Sequence, residues 1–153
     1  MGFFRDTSVL IALAIPSLLL AALPAGADDM TVGSVKNAFG AATAVRDGVR
    51  MPAPTGFKLH AGDTLETGPD GRLGVILRDD SLVSLGPQSL FVIEKFLFVP
   101  AEGKLGLTVR ILRGTLAYVS GLIGRLAPES ATFVTPVATI GVRGTHFAVQ
   151  VSE

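Results

Sequence analysis

The chain has no cysteine, no tryptophan and only two histidines among its 153 residues. The absence of cysteine excludes disulfides, thiol catalysis and thiolate metal sites. Charged residues make up 17% of the chain, and 13 basic side chains balance 13 acidic ones, so the formal net charge is zero. This charge balance gives no indication of nucleic-acid binding. The stability of the chain must therefore come from apolar burial and backbone pairing.

What the chain does have, first, is an apolar run from Val9 to Ala22 that follows Arg5 and ends near Ala25 and Ala27. This arrangement is typical of a secretory signal peptide, with cleavage predicted after Ala27. The alternative is an uncleaved membrane anchor, but the run is shorter than the roughly 20 apolar residues that cross a bilayer. We therefore expect residues 1–27 to be a signal peptide. Residues 28–153 would then be a periplasmic or secreted domain without a membrane span.

From Val32 onward, short apolar stretches alternate with glycine, proline and aspartate, and no window has sustained helical periodicity. The pattern predicts a single all-β domain of about ten to twelve short strands, as an irregular β-solenoid or a sandwich-like fold. The clearest alternation runs through residues 146–151, followed by residues 105–112, and residues 72–78 also alternate.

Three segments are expected to interrupt the strands. Pro52 and Pro54 predict a loop over residues 49–55, and Arg113-Gly114 predicts a turn between two strands. Residues 121–129 are expected to form a loop or a short turn, because glycine and Pro128 limit any helix there.

Aspartate and glycine mark the predicted turns, and we expect structural roles for all of them. The turn residues are Gly62, Asp63, Asp70, Gly71, Asp79 and Asp80. Asp63 and Asp70 should cap their turns by accepting backbone N–H bonds, and Gly71 should tolerate a positive φ. Asp79 and Asp80 are predicted to be solvated, with Asp80 in a left-handed conformation that favours glycine.

The segment TPVATIGVRGTHFAVQV, residues 135–151, predicts a strand, a tight turn at residues 143–145 and a second strand, as a closing hairpin or bend. Together with GDTLETGPDGRLGVIL, DDSLVSLGPQS and LRGTLAYVSG, it resembles the FecR domain over a core of about residues 35–151. That resemblance implies the periplasmic module of iron-siderophore signalling regulators, which also occurs in freestanding exported proteins. We expect the freestanding form, without the anti-sigma segment and the membrane helix of the regulators.

The residues that carry the family motif are expected to be structural. They are Thr135, Pro136, Gly141, Arg143, Gly144 and Thr145. For Arg143 two interpretations stay open: its planar guanidinium could recognise an anionic group, or it could bind turn carbonyls or a nearby carboxylate. We favour the second.

Sequence patterns for catalysis are missing. His60 and His146 lie outside any catalytic motif, and no metal-ligand spacing occurs. The nearest carboxylate pairs for glycoside hydrolysis are Asp63 with Glu66 and Asp79 with Asp80, but their turn positions argue against that use. We therefore expect no catalytic, metal-binding or cofactor-binding residues, and no enzyme activity.

The leading functional hypothesis is a non-enzymatic binding or scaffold module, with an accessory role in cell-surface signalling. Its partner would be an envelope protein or a cell-surface polymer, engaged through a strand edge or an exposed turn surface. The alternative is a β domain that binds a small ligand or a glycan. Sequence patterns do not indicate which residues contact the partner, nor the oligomeric state.

Overall fold

A computed structural model describes residues 31–143 and 146–152 of the chain. These residues form a curled twelve-stranded sheet, shaped like half of a barrel. The strands are β1 (Thr31–Phe39), β2 (Ala42–Arg46), β3 (Val49–Pro52), β4 (Lys58–His60), β5 (Thr64–Thr67), β6 (Arg72–Leu77), β7 (Leu82–Leu85), β8 (Leu90–Val99), β9 (Lys104–Val119), β10 (Ala131–Val134), β11 (Thr139–Gly141) and β12 (His146–Val151). The predicted all-β single domain and its number of strands are confirmed.

The sheet has two halves that share the long strand β9. Half-sheet A has the order β4-β1-β6-β7-β9-β12, and half-sheet B has the order β3-β2-β5-β8-β9-β10-β11. All neighbours are antiparallel except β9 and β10, which are parallel. The first part of β9 lies between β8 and β10, and its last part lies between β7 and β12.

Strand β9 passes from one half-sheet to the other at Gly114. Leu107, Val109 and Ile111 are buried before it, whereas Leu116 and Tyr118 are buried after it, so the inward alternation changes phase. Gly114 has a φ of 91°, and the β8–β9 register shifts between Leu90 and Phe91. This is the geometry of a β-bulge, in which an extra residue bends the strand. The predicted turn at Arg113-Gly114 is therefore wrong: the chain bends there but stays paired.

The hydrophobic core fills the inside of the curl. Its largest fully buried side chains are Tyr118, Phe91, Phe133, Leu59, Leu65, Leu73, Leu77, Ile93, Leu107, Ile111, Leu116 and Ile123. Tyr118, Phe133 and Phe147 pack ring against ring, with centroid separations of 4.7 to 5.5 Å. Such contacts stabilise beyond simple burial, by about 0.5–1.5 kcal/mol per pair. This aromatic cluster connects the two half-sheets, because Tyr118 and Phe147 lie in half-sheet A and Phe133 lies in half-sheet B.

Two further predictions from the sequence, a loop over residues 49–55 and a loop or short turn over residues 121–129, differ from the structure. Residues 49–52, predicted as loop, form β3, because Pro52 lies on a sheet edge where its missing N–H is not needed. Residues 122–126 form a short helix, α1 (Leu122–Leu126), rather than a loop. A contact distant in sequence stabilises this helix, as described below.

Residues 135–151 were expected to form a closing hairpin or a bend, and the hairpin is wrong. β11 pairs with β10 in half-sheet B, and β12 pairs with β9 in half-sheet A. The chain therefore passes from half-sheet B to half-sheet A between β11 and β12. Gly144 and Thr145, at the predicted turn, lie outside the described residues.

Candidate binding surface

Asp63 is fully buried, and its carboxylate accepts three hydrogen bonds from two neighbours at one end of half-sheet B. Its Oδ1 accepts a bond from Arg46 Nε at 2.8 Å, and its Oδ2 accepts bonds from Arg46 Nη2 at 2.7 Å and the His60 N–H at 2.8 Å. The hydrogen bond to Asp63 raises the pKa of the Arg46 guanidinium above its ordinary value. Asp63 caps the turn as predicted, and it is also one half of a bidentate ion pair.

Asp79 is also fully buried, so the prediction of a solvated turn acid is wrong for this residue. Its carboxylate accepts bonds from the Ser81 N–H at 3.1 Å, the Ser81 hydroxyl at 2.7 Å and the Ile123 N–H at 3.2 Å. Ile123 lies in the first turn of α1, where backbone N–H groups lack partners within the helix. Asp79 thus caps a helix more than 40 residues away in sequence, which explains why α1 forms.

Ser81 connects Asp79 to the strand opposite. Because the Ser81 hydroxyl donates to Asp79, it accepts at its other contacts: the Tyr118 hydroxyl at 3.0 Å and the Gly121 N–H at 3.0 Å. All these groups are buried. The β6–β7 turn, the end of β9 and the start of α1 are therefore joined by one saturated network.

Tyr118 is the only tyrosine of the chain, which makes this network visible by spectroscopy. Burial raises the pKa of its phenol above the ordinary value; nearby Asp79 adds to this effect, and the hydrogen bonds with Ser81 and Ser120 oppose it. Since the folded state favours the neutral phenol, this contribution to stability is complete below a pH of about 10 and is lost as the pH rises through the folded-state pKa.

We expect the phenolate absorbance of the native chain to appear at a higher pH than that of the urea-unfolded chain. The free energy of unfolding should fall over the same alkaline range. The Tyr118→Phe variant should lack the component of that fall due to the phenol. A native titration that overlays the unfolded one would contradict the burial of this hydroxyl in the network.

The remaining turn residues have mixed outcomes. Asp80 has a φ of 65°, as the left-handed prediction required, and its side chain is exposed. Gly71 lacks the predicted positive φ; a Cβ there would instead overlap the Ala41 carbonyl, so the need for glycine is close packing. Asp70 is exposed and forms no hydrogen bond in the described part of the chain, so its predicted capping role is not found.

The family motif begins with a tight turn between β10 and β11. Thr135 Oγ1 accepts a bond from the Ala138 N–H at 3.0 Å and donates to the Ala138 carbonyl at 3.1 Å. Pro136 is exposed in the same turn, and Gly141 at the end of β11 has open space around it. Arg143 is exposed and has no hydrogen bond or ion pair within the described residues. Its structural role stays a prediction.

Two buried hydroxyls hold the loops at the other end of half-sheet B. Thr67 Oγ1 donates to the Gly86 carbonyl at 2.7 Å and accepts from the Ser89 N–H at 2.9 Å. Ser89 Oγ donates to the same Gly86 carbonyl at 2.9 Å and accepts from the Thr115 N–H at 3.0 Å. The β5–β6 loop, the β7–β8 loop and the Gly114 bulge are thus tied together by hydrogen bonds. We call this end of the molecule, including Phe39 at the end of β1 beside these loops, the rim. Its loop tips carry Pro69 and Pro87.

Pro69 and Pro87 separate two clefts. The first, which we call the Gln150 cleft, has a volume of about 520 Å³ and is lined by Glu66, Gln88, Arg113 and Gln150. Arg113 Nη2 contacts Glu66 Oε1 at 3.1 Å, and Arg50 contacts the other Glu66 oxygen at 2.6 Å. Because the arginines neutralise Glu66, this cleft offers mostly hydrogen-bonding groups.

The second cleft, which we call the Phe39 cleft, has a volume of about 700 Å³. Leu73 and Leu85 of the core line it, and Phe39 at its edge is 61% exposed. Asp70 and Arg72 contribute one charge of each sign. The cleft is therefore partly apolar and partly polar, and an exposed aromatic ring beside such a depression is typical of a protein-binding hot spot.

Sequence reasoning did not find the rim. Phe39, Gln88 and Gln150 come from three distant parts of the chain, and only the fold brings them to one end. Phe39 is the last residue of β1. One usable signal was its position beside Gly40, since an aromatic residue next to a turn has little core to enter.

The described residues contain no cluster of three or more histidine, cysteine or acidic side chains placed to hold a metal. Three of the four carboxylates considered for glycoside hydrolysis are engaged: Asp63 with Arg46, Glu66 with two arginines, and Asp79 with Ser81 and Ile123. The fourth, Asp80, is exposed. Across residues 31–143 and 146–152, no helix is long and apolar enough to cross a membrane.

These features define a single all-β module with a rigid rim and two surface clefts. The family model described as FecR protein matches residues 63–153, more than half of the chain. The chain therefore belongs to the FecR family, a regulatory and non-enzymatic family, and is a FecR-like module of signalling regulation. No curated protein and no solved structure matches it. Strands β1 to β4, which precede the match, complete both half-sheets and supply Phe39.

Proposed function

We propose that the chain is an exported, periplasmic, non-enzymatic module that binds an envelope protein and serves cell-surface signalling in an accessory role. The rim is the contact surface. The observation that carries this proposal is the Phe39 cleft, where a ring that is 61% exposed stands beside Leu73 and Leu85 at the rigid end of the sheet.

The distribution of polar groups supports the same assignment. Asp63, Asp79, Thr67 and Ser89 are buried and already hydrogen-bonded within the fold. They stabilise the surface and do not face a substrate. A preformed surface loses little conformational entropy on binding, which favours recognition by a folded partner.

The export part of the proposal depends on the leader. The apolar run that ends at Ala27 has the pattern of a signal peptide, and the absence of cysteine suits an oxidising compartment. Amino-terminal sequencing of the protein from a periplasmic fraction tests it. A chain that begins at Asp28 supports the proposal, whereas an intact leader in the cytoplasmic fraction overturns it.

Partner capture tests the function. The immobilised mature chain should retain a saturable envelope protein, and Phe39→Ser should weaken that binding at least about tenfold, since burying an aromatic side chain contributes roughly 1.5–3 kcal/mol. Val49→Ser is the matched control: Val49 is 60% exposed but lines neither cleft. Equal loss in both variants, or no saturable partner for the wild type, would refute the proposal.

A second candidate function is glycan binding in the Gln150 cleft. Carboxamides, a guanidinium and the Thr115 hydroxyl line this cleft, and planar polar groups of this kind suit the hydroxyls of a neutral sugar. Soluble fragments of envelope polysaccharide should then raise the melting temperature, and Gln150→Ala should abolish the rise. No rise with any fragment would exclude this alternative, while the Phe39 test would be unaffected.

A further inference from the structure

Strand β12 is an edge of half-sheet A, and within the described residues β9 is its only partner. An unpaired edge exposes backbone N–H and C=O groups that can pair with another strand. We propose that β12 pairs with β12 of a second copy of this chain, which gives a symmetric dimer with one continuous sheet. This inference does not depend on partner binding at the Phe39 cleft, but it shares Gln150 with the Gln150 cleft.

The other three sheet edges are protected against such pairing. β3 carries Arg50 and Pro52, while β4 and β11 are only three residues long, and β4 begins with Lys58. Short strands, proline and lysine are the usual protections of natural edges. By contrast, β12 has six residues, His146 to Val151, with no proline, lysine or acidic side chain. It is the one long, unprotected edge in the described part of the sheet.

The two rows of β12 side chains have different environments. Phe147, Val149 and Val151 are half-buried against the core, and His146, Ala148 and Gln150 are exposed on the outer face. Half-burial leaves part of the inner row uncovered beyond the edge. A further strand paired with this edge would cover these inner side chains. An apolar inner row on that strand would match them best.

The sequence of β12 is complementary to itself in an antiparallel register centred on Ala148. A twofold axis perpendicular to the sheet then places Ala148 opposite Ala148, Phe147 opposite Val149, and His146 opposite Gln150. Inner residues face inner residues, because cross-strand partners share a face. Aromatic and β-branched pairs are favourable in such positions, and no acidic or lysine side chain opposes the contact. These features select a second copy as the occupant.

A six-residue edge buries less than a standard interface, so the dimer should be transient. Sedimentation velocity over a wide concentration range should show the mass rising from monomer to dimer. Ala148→Lys should weaken the dimer at least about tenfold, since it places two lysines opposite each other. Ser84→Lys is the control, because Ser84 is exposed on the same face but lies two strands from the edge and should leave the dimer intact.

Cysteine cross-linking gives a second readout, and the natural absence of cysteine makes it clean. Residues directly opposite each other have Cβ atoms about 4.5–5.5 Å apart, so mild oxidation of Ala148→Cys should yield a disulfide-linked dimer. Ser84→Cys should not cross-link. A strictly monomeric wild type, equal dimerisation of both lysine variants, or equal cross-linking of both cysteine variants would each overturn the proposal.

Discussion

Replacing Asp79 with alanine should cost the fold about 3–5 kcal/mol, because the buried N–H groups of Ser81 and Ile123 and the Ser81 hydroxyl lose their acceptor. For a domain of this size the melting temperature should fall by roughly 10–20 °C. Differential scanning calorimetry and urea titration measure both quantities. We expect α1 to lose its cap in the same variant.

Asp80→Ala is not a suitable control, since Asp80 has a positive φ, but Asp80→Asn is. Asparagine tolerates that conformation, and the Asp80 side chain is exposed, so the change should stay within about 0.5 kcal/mol. The conservative Asp79→Asn should still destabilise by about 2 kcal/mol or more. One carboxylate oxygen becomes an NH2 group, which is itself a donor and cannot accept the hydrogen bonds of the neighbouring donors. Equal effects of Asp79→Asn and Asp80→Asn would contradict the buried network.

Gly114→Ala should destabilise by roughly 3–5 kcal/mol, or prevent folding. Its φ of 91° strains any other residue, and a Cβ at this position would overlap the Cα and the hydroxyl of Ser89. The overlap would also break the bonds by which Ser89 joins the rim loops to β9. Equilibrium unfolding of the variant tests this, with circular dichroism to detect a loss of strand content.

Gly62→Ala separates strain from overlap. Gly62 has a φ of 90°, almost the same as Gly114, but open space surrounds its position. Only the backbone strain of about 1–2 kcal/mol should then appear. If Gly114→Ala were no more destabilising than Gly62→Ala, the close packing of Gly114 against Ser89 in the bulge would be contradicted.

Strand positions followed well from the sequence where apolar residues alternate. Residues 72–77 form a strand as expected, with Leu73, Val75 and Leu77 buried. Residues 105–112 likewise lie in β9, with alternate side chains buried. Alternation works because each strand has one face on the core. The predictions failed where a local signal competed with pairing. Arg113-Gly114 reads as a turn, yet strands on both sides of β9 keep the chain extended through it.

Contacts distant in sequence account for the other failures. Asp79 reads as a turn acid, and nothing near it indicates that the N-terminus of α1 would cover it. Likewise β11 and β12 read as a hairpin, because each has the right pattern and a short glycine-containing segment lies between them. The change of phase from Ile111 to Leu116 was the visible clue to the bulge.

The family motif and the candidate binding surface differ in location. Thr135 closes its own turn, whereas the Phe39 cleft is built partly from residues upstream of the family match. Asp63 and Asp79 explain why turn aspartates are needed, since each ties together segments that are distant along the chain. Recognition of the family therefore identifies the scaffold, whereas the proposed contact surface rests on the clefts.

The central claim is that the rim binds the partner, and photo-crosslinking in living cells tests it most directly. A photoreactive phenylalanine analogue is placed at Phe39 in one variant and at Val49 in another, two positions of nearly equal exposure, 61% and 60%. The rim assignment predicts a discrete crosslinked envelope protein from position 39 and none from position 49. No adduct from position 39, or the same adduct from both positions, would contradict it.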